Sequence, residues 1–345
     1  MILRNSPVVK IGSVEVSSFS RPKIIAEAGV AHYGSFEKLQ KLVDLAVNAN
    51  ADFFKMQHFH TSTLINSIDL EWSNRMRSKE VDDSFIKDAK GYCDEKNIPF
   101  LCTGHDERSL EFLLNEDLIA AVKIGSGERE NFRMFDLALS SDLPLIISLG
   151  MYTDQHIEKL HNYLRSKSVG ADKVIFMHCV TAYPVSPSKT NIRFVRRLAE
   201  EYPYLVGYSD HTKGIAFPLA SVTFGAVLIE KHIANEFNVP NAQDWKVSSD
   251  EAELKMLCAA SSDLFLGLSG EVKKGSGTDE VESQTWALKS PYYSGDLALG
   301  STLTDNDVLM QRPFTGYTFS DLELLIGRTL KRHVKKGSAL SKTDF

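Results

Sequence analysis

Two histidines, two lysines and a set of hydroxyls and carboxylates each close a short apolar run, and these residue types suit chemistry on a small anion. His211, in GYSDHT, and His232, in IEKH, stand one repeat of chain apart. If their runs are neighbouring strands, ~4.8 Å apart, both imidazoles can share one metal ion. Two nitrogen ligands leave several positions open. That suits Mn²⁺ or Mg²⁺ acting as a Lewis acid better than a closed structural zinc. His105 and His178 compete for the same role. Lys55 and Lys123 end two other runs, in company with Gln57, Thr103, Ser126, Ser148 and Ser209. Two ammonium groups with several hydroxyls are what a compact dianionic phosphate plus carboxylate requires. The turn Gly125-Ser126-Gly127 can add backbone N–H groups. The alternatives are a Schiff-base lysine or a buried ion-pair lysine. Glu27 and Glu128 are the acidic counterparts, suited to activating water, orienting a hydroxyl or pairing with Lys55 or Lys123.

The elements that must hold these residues are legible. Apolar, β-branched runs begin near Lys23, Asp52, Ile98, Ala121, Pro144, Val174, Tyr204 and Ala226, each followed by a segment of helical period. Phe36, Leu39, Leu42, Val43 and Ala46 form one such stripe, and Leu110, Leu113 and Leu114 another. Near-continuous apolar runs are what buried parallel strands look like, and eight strand–helix repeats predict a closed (β/α)8 TIM barrel. The C-terminal strand ends then form the active face. Residues there include Glu27, Lys55, Thr103, Lys123, Ser148, His178, Thr181, Tyr183, Ser209, Asp210, His211, Glu230, Lys231 and His232. Residues 60–82 are a polar insertion between the second and third runs. Val8–Val16 reads as a hairpin turning at Gly12-Ser13 that plugs one mouth of the barrel.

At 345 residues the chain exceeds the roughly 250 of a barrel, so a second module is expected. The predicted organisation is a barrel over 1–267, a Gly/Ser/Lys/Glu-rich linker over 268–284, and a small β-rich domain over 285–345 with a short helix near Ser320–Ile326. A formal charge of −6 with both signs interspersed argues against a nucleic-acid or anionic-membrane partner. No run approaches the roughly 18 apolar residues of a membrane span. Four cysteines without a C-x-x-C pair predict no disulfide framework and a cytoplasmic protein.

In order along the chain, IIAEAG, VAHYGS, FFKMQ, VKIGSGE, ISLGM, HCVTAYP, GYSDHT and IEKH resemble the sialic acid synthase family over most of residues 20–265. Gly300-Ser301-Thr302-Leu303, Arg312-Pro313, Leu325-Ile326-Gly327 and Lys336-Gly337 resemble that family's small antifreeze-like (SAF) domain. The resemblance implies a metal-dependent condensation of phosphoenolpyruvate with N-acetylmannosamine or a related 2-acetamido aldose. Phosphate and a nine-carbon 2-keto sugar acid are the implied products. It implies that Lys55, Thr103, Lys123, Ser126, Ser148 and Ser209 hold phosphoenolpyruvate, with Thr181 a weaker match, and that His211 and His232 hold the metal. Glu27, Glu128, Tyr183 and Asp244 would face the sugar or the attacking water. Arg312 would reach a partner subunit's sugar site in a domain-swapped homodimer.

The chain departs from the family pattern at Ala31-His32-Tyr33-Gly34, at Thr103-Gly104-His105-Asp106 and at Ala287–Tyr292. The family has Asn-His-Asn-Gly, Thr-Pro-Phe-Asp and an arginine-bearing segment there. These changes cluster where sugar or tail domain should lie, which predicts an unusual acceptor. Three rivals remain at this stage. One is a synthase for an aldose phosphate that uses Arg75, Arg77 or Lys79. The second is a catalytically silent sugar binder, and the third is a Schiff-base aldolase.

Overall fold

The eight apolar runs lack polar alternation because both of their faces are covered. In the computed structural model, which describes residues 7–66, 68–239, 242–270 and 278–345, they form one parallel sheet. A hairpin of β1 (Val9–Ile11) and β2 (Val14–Val16) precedes it. The sheet strands are β3 (Lys23–Gly29), β4 (Phe53–His58), β5 (Phe100–Gly104) and β6 (Val122–Ile124), then β7 (Leu145–Ser148), β8 (Val174–Cys179), β9 (Leu205–Asp210) and β10 (Leu228–His232). Their order is β5-β4-β3-β10-β9-β8-β7-β6. β5 and β6 meet where the Ala120 N–H donates to the Phe100 carbonyl at 3.3 Å. The fold is the (β/α)8 barrel that the repeats predict.

Alternate side chains divide into two cores. Ile24, Phe54, Phe100, Val122, Leu145, Phe176, Val206 and Ile229 point outward under the helices. The apolar stripe Leu39, Leu42, Val43 and Ala46 of helix Phe36–Asn48 closes onto that layer, and Ser35 caps the helix by accepting from Lys38 N–H. Inward-pointing Ile25, Phe53, Leu101, Ala121, Ile146, Ile175, Leu205 and Leu228 form a second core with Val9, Ile11 and Val16 of the hairpin. The hairpin therefore seals the end of the barrel where the strands begin.

The insertion forms helices Thr61–Leu64 and Leu70–Arg77, followed by helix Asp83–Glu95. The chain divides into compact units of residues 1–270 and 271–345. The second unit pairs β11 (Ser290–Tyr293) with antiparallel β12 (Val308–Gln311) around Tyr293, Leu303, Leu322, Leu325, Leu330 and Leu340, with a short helix at Phe319–Glu323. Part of the expected linker, residues 271–277, lies outside the described residues. Thr278–Ala287, partly within that linker, is helical. Among the described residues no helix is long and apolar enough to cross a membrane.

Candidate active site

Two residues above six of the eight inward apolar positions the chemistry changes. From Ile25, Phe53, Leu101, Ala121, Ile146 and Leu228 the strands arrive at Glu27, Lys55, Thr103, Lys123, Ser148 and Glu230, all buried. Side chains two apart on a strand share a face, so these six close one layer over the apolar floor. Lys55 Nζ lies 2.8 Å from Glu27 Oε2 and 3.6 Å from Glu230 Oε2, and donates to Thr103 Oγ1 at 3.2 Å. Lys123 Nζ donates to Ser148 Oγ at 2.8 Å and lies 3.5 Å from Glu230 Oε1. Ser209, the register partner of Glu230 on β9, donates to Glu230 Oε1 at 3.0 Å.

Glu230 thus bridges the two cations. Sequence reasoning placed it at a strand end and gave it no role. The signal that identifies it is the count of two from inward-facing Leu228. Burial opposes the charge of Lys55, but Glu230 and Glu27 lift its pKa above the ordinary lysine value. Lys123 falls below it, because burial and Lys55 together outweigh Glu230. Burial works against the Glu230 carboxylate as well, yet Lys123 and Lys55 hold its pKa well below the usual carboxylate range. His105, half-buried beside this layer, is held neutral with a pKa lowered to about 4 by burial and by the two lysines.

The same count of two corrects three expected members of the active face. His178, Asp210 and Lys231 point outward. His178 Nε2 donates to the Thr190 carbonyl at 2.7 Å on the outer side of the wall, away from His211 and His232. Lys231 Nζ pairs with Asp210 Oδ2 at 2.7 Å in a fully buried ion pair behind the wall.

Above the charged layer the loops converge. Gly150 N–H donates to Ser126 Oγ at 3.0 Å, and a β-carbon on Gly150 would stand 2.3 Å from Thr181 Oγ1 and 2.6 Å from Ser126 Oγ. A side chain at this position of the loop after β7 would push both hydroxyls aside. It brings Ser126, Thr181 and a backbone N–H into one cradle near Ser148.

His211 and His232 lie with ring centroids 5.4 Å apart. The His211 Nδ1–H donates to the Val180 carbonyl at 2.8 Å, leaving Nε2 with its lone pair. His232 Nδ1 is buried without a hydrogen-bond partner among the described residues. A bare imidazole nitrogen beside an orphaned one is a donor set that fits a divalent cation. Tyr183 covers the pair, with its ring centroid 4.0 Å from that of His211 and 5.8 Å from that of His232.

On the strands next to His232, whose register partner is Glu27, Gln57 Nε2 donates to Glu27 Oε1 at 2.9 Å. Asp244 Oδ2 approaches the same place, 3.3 Å from the β-carbon position of Gly29, with Gln57 Nε2 at 3.5 Å and Glu27 Oε1 at 3.6 Å from that point. Half-buried Lys79 of the insertion and Tyr33 both feel the Asp244 charge. Arg75 and Arg77 remain exposed. Glu128 sits apart from the buried layer. It lines a groove with His105, Asp106 and Asn131, accepts from Asn131 Nδ2 at 2.6 Å, and has its pKa raised by burial. Arg312 follows β12 in the second unit and is exposed.

Comparison with known proteins gives this geometry its relatives. Residues 42–273 match the NeuB family and residues 290–345 the SAF domain. The chain is 31% identical to the N,N'-diacetyllegionaminic acid synthase of Legionella pneumophila, covering 92% of both chains. It is 32% identical to the N-acetylneuraminate-9-phosphate synthase of Drosophila melanogaster over 77% of this chain and 76% of that one. A solved N-acetylneuraminic acid synthetase from Leptospira borgpetersenii superposes with a TM-score of 0.73 at 28% identity, covering 81% of this chain and 95% of the other. A barrel whose ordered motifs hold a buried cation–carboxylate layer, joined to an SAF unit, makes this chain a member of the NeuB family and an enzyme of the sialic acid synthase type.

Proposed function

We propose that the enzyme condenses phosphoenolpyruvate with a 2-acetamido aldose, giving a nine-carbon 2-keto sugar acid and phosphate. The observation that carries this reading is the layer Glu27–Lys55–Glu230–Lys123, ringed by Thr103, Ser148 and Ser209 above a sealed apolar floor. Two buried ammonium groups match a compact dianion, and the Ser126–Gly150–Thr181 cradle supplies further donors to its oxygens. His211 and His232 would hold a divalent ion of the Mn²⁺ or Mg²⁺ kind, which when bound supplies Lewis acidity toward the acceptor's aldehyde oxygen.

The remaining work belongs to this chain's own groups. C3 of the enol phosphate attacks the aldehyde carbon, and positive charge develops at C2. Glu230, pinned between the lysines and kept ionised, stabilises that charge. Glu27, held by Lys55 and Gln57, orients the water that adds to C2. The resulting hemiketal phosphate loses its phosphate by carbon–oxygen cleavage while Lys55 and Lys123 balance the departing charge. Tyr183 and Asp244 would contact the sugar, and Glu128 would act from the rim. By family resemblance, Arg312 would reach the sugar site of a partner chain in a domain-swapped homodimer.

Phosphate release from phosphoenolpyruvate, with Mn²⁺ and aldoses carrying one or two acetylated amines, tests the reading. Phosphoenolpyruvate labelled with ¹⁸O at the bridging position should send its label into phosphate. Label retained in the keto acid, or borohydride trapping of pyruvate on Lys123, would sink it. N-acetylmannosamine emerging as clearly the best acceptor would overturn the expectation of an unusual sugar. A phosphorylated acceptor is a second reading, favoured by half-buried Lys79 facing Asp244 at the mouth. Paired assays with and without the acceptor phosphate decide it.

A further inference from the structure

Outside the barrel wall, His58, His60 and Asp83 each bring one ligand atom to within 4.8 Å of the others. His58 closes β4 one position after Gln57, so it points away from the catalytic layer. It is fully buried, with its ring centroid 4.9 Å from that of His60 and 5.6 Å from that of Phe112. Asp83 begins the helix after the insertion, and its Oδ1 lies 2.9 Å from His58 Nε2 and 3.4 Å from His60 Nε2. No lysine or arginine forms an ion pair with Asp83 among the described residues.

The protons on His60 can be assigned. Ser109 Oγ donates to Asp106 Oδ2 at 2.7 Å, so toward His60 Nδ1, 3.0 Å away, it can only accept. Nδ1 therefore carries a hydrogen, and in the neutral ring Nε2 presents a lone pair. Asp106 completes the support by accepting the His60 backbone N–H at 2.9 Å. A histidine lone pair and a carboxylate oxygen then face each other at 3.4 Å with no hydrogen between them. Without a metal, His58 Nε2–H donates to the same Asp83 Oδ1 at 2.9 Å, and a cation that replaces this hydrogen gathers all three ligand atoms. The hydroxyl and carboxylate behind His60 form the outer support that ligating histidines ordinarily have. His58 Nδ1 is buried without a hydrogen-bond partner among the described residues.

We propose that His58, His60 and Asp83 form a second divalent-metal site, zinc-like in its preference for two imidazoles and one carboxylate. It is separate from the His211–His232 pair and fastens the insertion to the barrel wall. Two nitrogens and one oxygen leave a fourth position for water, and the partly exposed Asp83 gives a route in from solvent. The site joins β4, the start of the insertion and helix Asp83–Glu95. Through Ser109 and Asp106 it also grips the loop after β5.

The full chain, stripped with a chelator and dialysed against Zn²⁺, provides the test, with metal content read by atomic emission and Co²⁺ as an absorbing substitute. The His58–His60–Asp83 ion should be lost in His60→Gln and in the isosteric Asp83→Asn, and retained in His211→Ala. Ser109→Ala should weaken its binding by about 10- to 100-fold. Zinc should raise the melting temperature of the wild type more than that of Asp83→Asn, a readout that survives if His60→Gln folds poorly. Equal zinc content and affinity in wild type, His60→Gln and Asp83→Asn would overturn the proposal, leaving a protonated His60 paired with Asp83. Loss of zinc only on changing His211 or His232 would overturn it too.

Discussion

At the scale of single residues, the site depends on close approach as much as on charge. Gly150→Ala adds one methyl group where Thr181 Oγ1 and Ser126 Oγ already stand. The expected outcome is a fold that melts nearly as before and a KM for phosphoenolpyruvate raised at least tenfold, read from steady-state kinetics. Lys123 carries a second expectation. Burial and Lys55 lower its pKa despite Glu230, so it loses its proton below the ordinary lysine value of about 10.4. A neutral amine holds a dianion poorly, so kcat/KM for phosphoenolpyruvate should fall as pH rises through that lowered value. Lys123→Met should remove this alkaline limb and cost about 10- to 150-fold, the worth of a charged hydrogen bond of about 1.5–3 kcal/mol. An unchanged limb in the variant would rule Lys123 out as its source. Much of this layer was legible, because Lys55, Thr103, Lys123 and Ser148 interrupt apolar runs where packing needs no polar group. Which face a polar residue took was not legible. Glu230, Lys231 and His232 are consecutive and all polar, and only the inward position of Leu228 separates the inward-facing pair from the lysine behind the wall.

At the scale of elements, Asp106 shows how one side chain sets a helix and a loop together. It caps helix Glu107–Asn115 by accepting from Ser109 N–H at 3.1 Å, and it also accepts from His60 N–H and Thr63 Oγ1. Burial raises its pKa, but these donors outweigh burial and hold the carboxylate below its ordinary range. A depressed carboxylate contributes stability that is present above the unfolded pKa of about 3.9 and lost as pH falls through the folded value. Asp106→Ala should therefore destabilise the fold by about 2–4 kcal/mol at neutral pH, from the lost cap and the orphaned donors. The deficit should shrink toward acid, as urea melts at pH 7 and pH 3 would reveal. The barrel strands and the stripes of their covering helices were readable from period and apolar content. The helices inside the polar insertion were not, because Leu70–Arg77 carries a mostly exposed surface with Ser73 its buried residue. The helix at Thr278–Ala287 was hidden by the same lack of an apolar stripe.

At the scale of the molecule, the two units hold themselves together by different means. The barrel unit has its double core. The smaller unit gathers on Asp344, which is fully buried and accepts from Tyr293 Oη at 2.9 Å and from Arg332 Nε at 2.6 Å. The proposed exchange of tails has a direct check. Chains bearing Arg312→Ala and chains bearing His211→Ala, each expected to be nearly inactive alone, should on co-expression recover about a quarter of wild-type activity. Half of the dimers are then mixed, and each mixed dimer assembles one intact site from two damaged chains. Recovery at background level would count against the exchange.

The hairpin seal described above also governs traffic. A barrel closed where its strands begin is a blind vessel with one opening, and its cations lie at the bottom, below Tyr183 and Asp244. Whatever the lysines bind must go in first and come out last. Phosphoenolpyruvate should therefore precede the sugar, and the keto acid should depart before phosphate. In steady state, phosphate would then compete with phosphoenolpyruvate and not with the aldose; competition against the aldose instead would mean a second way out.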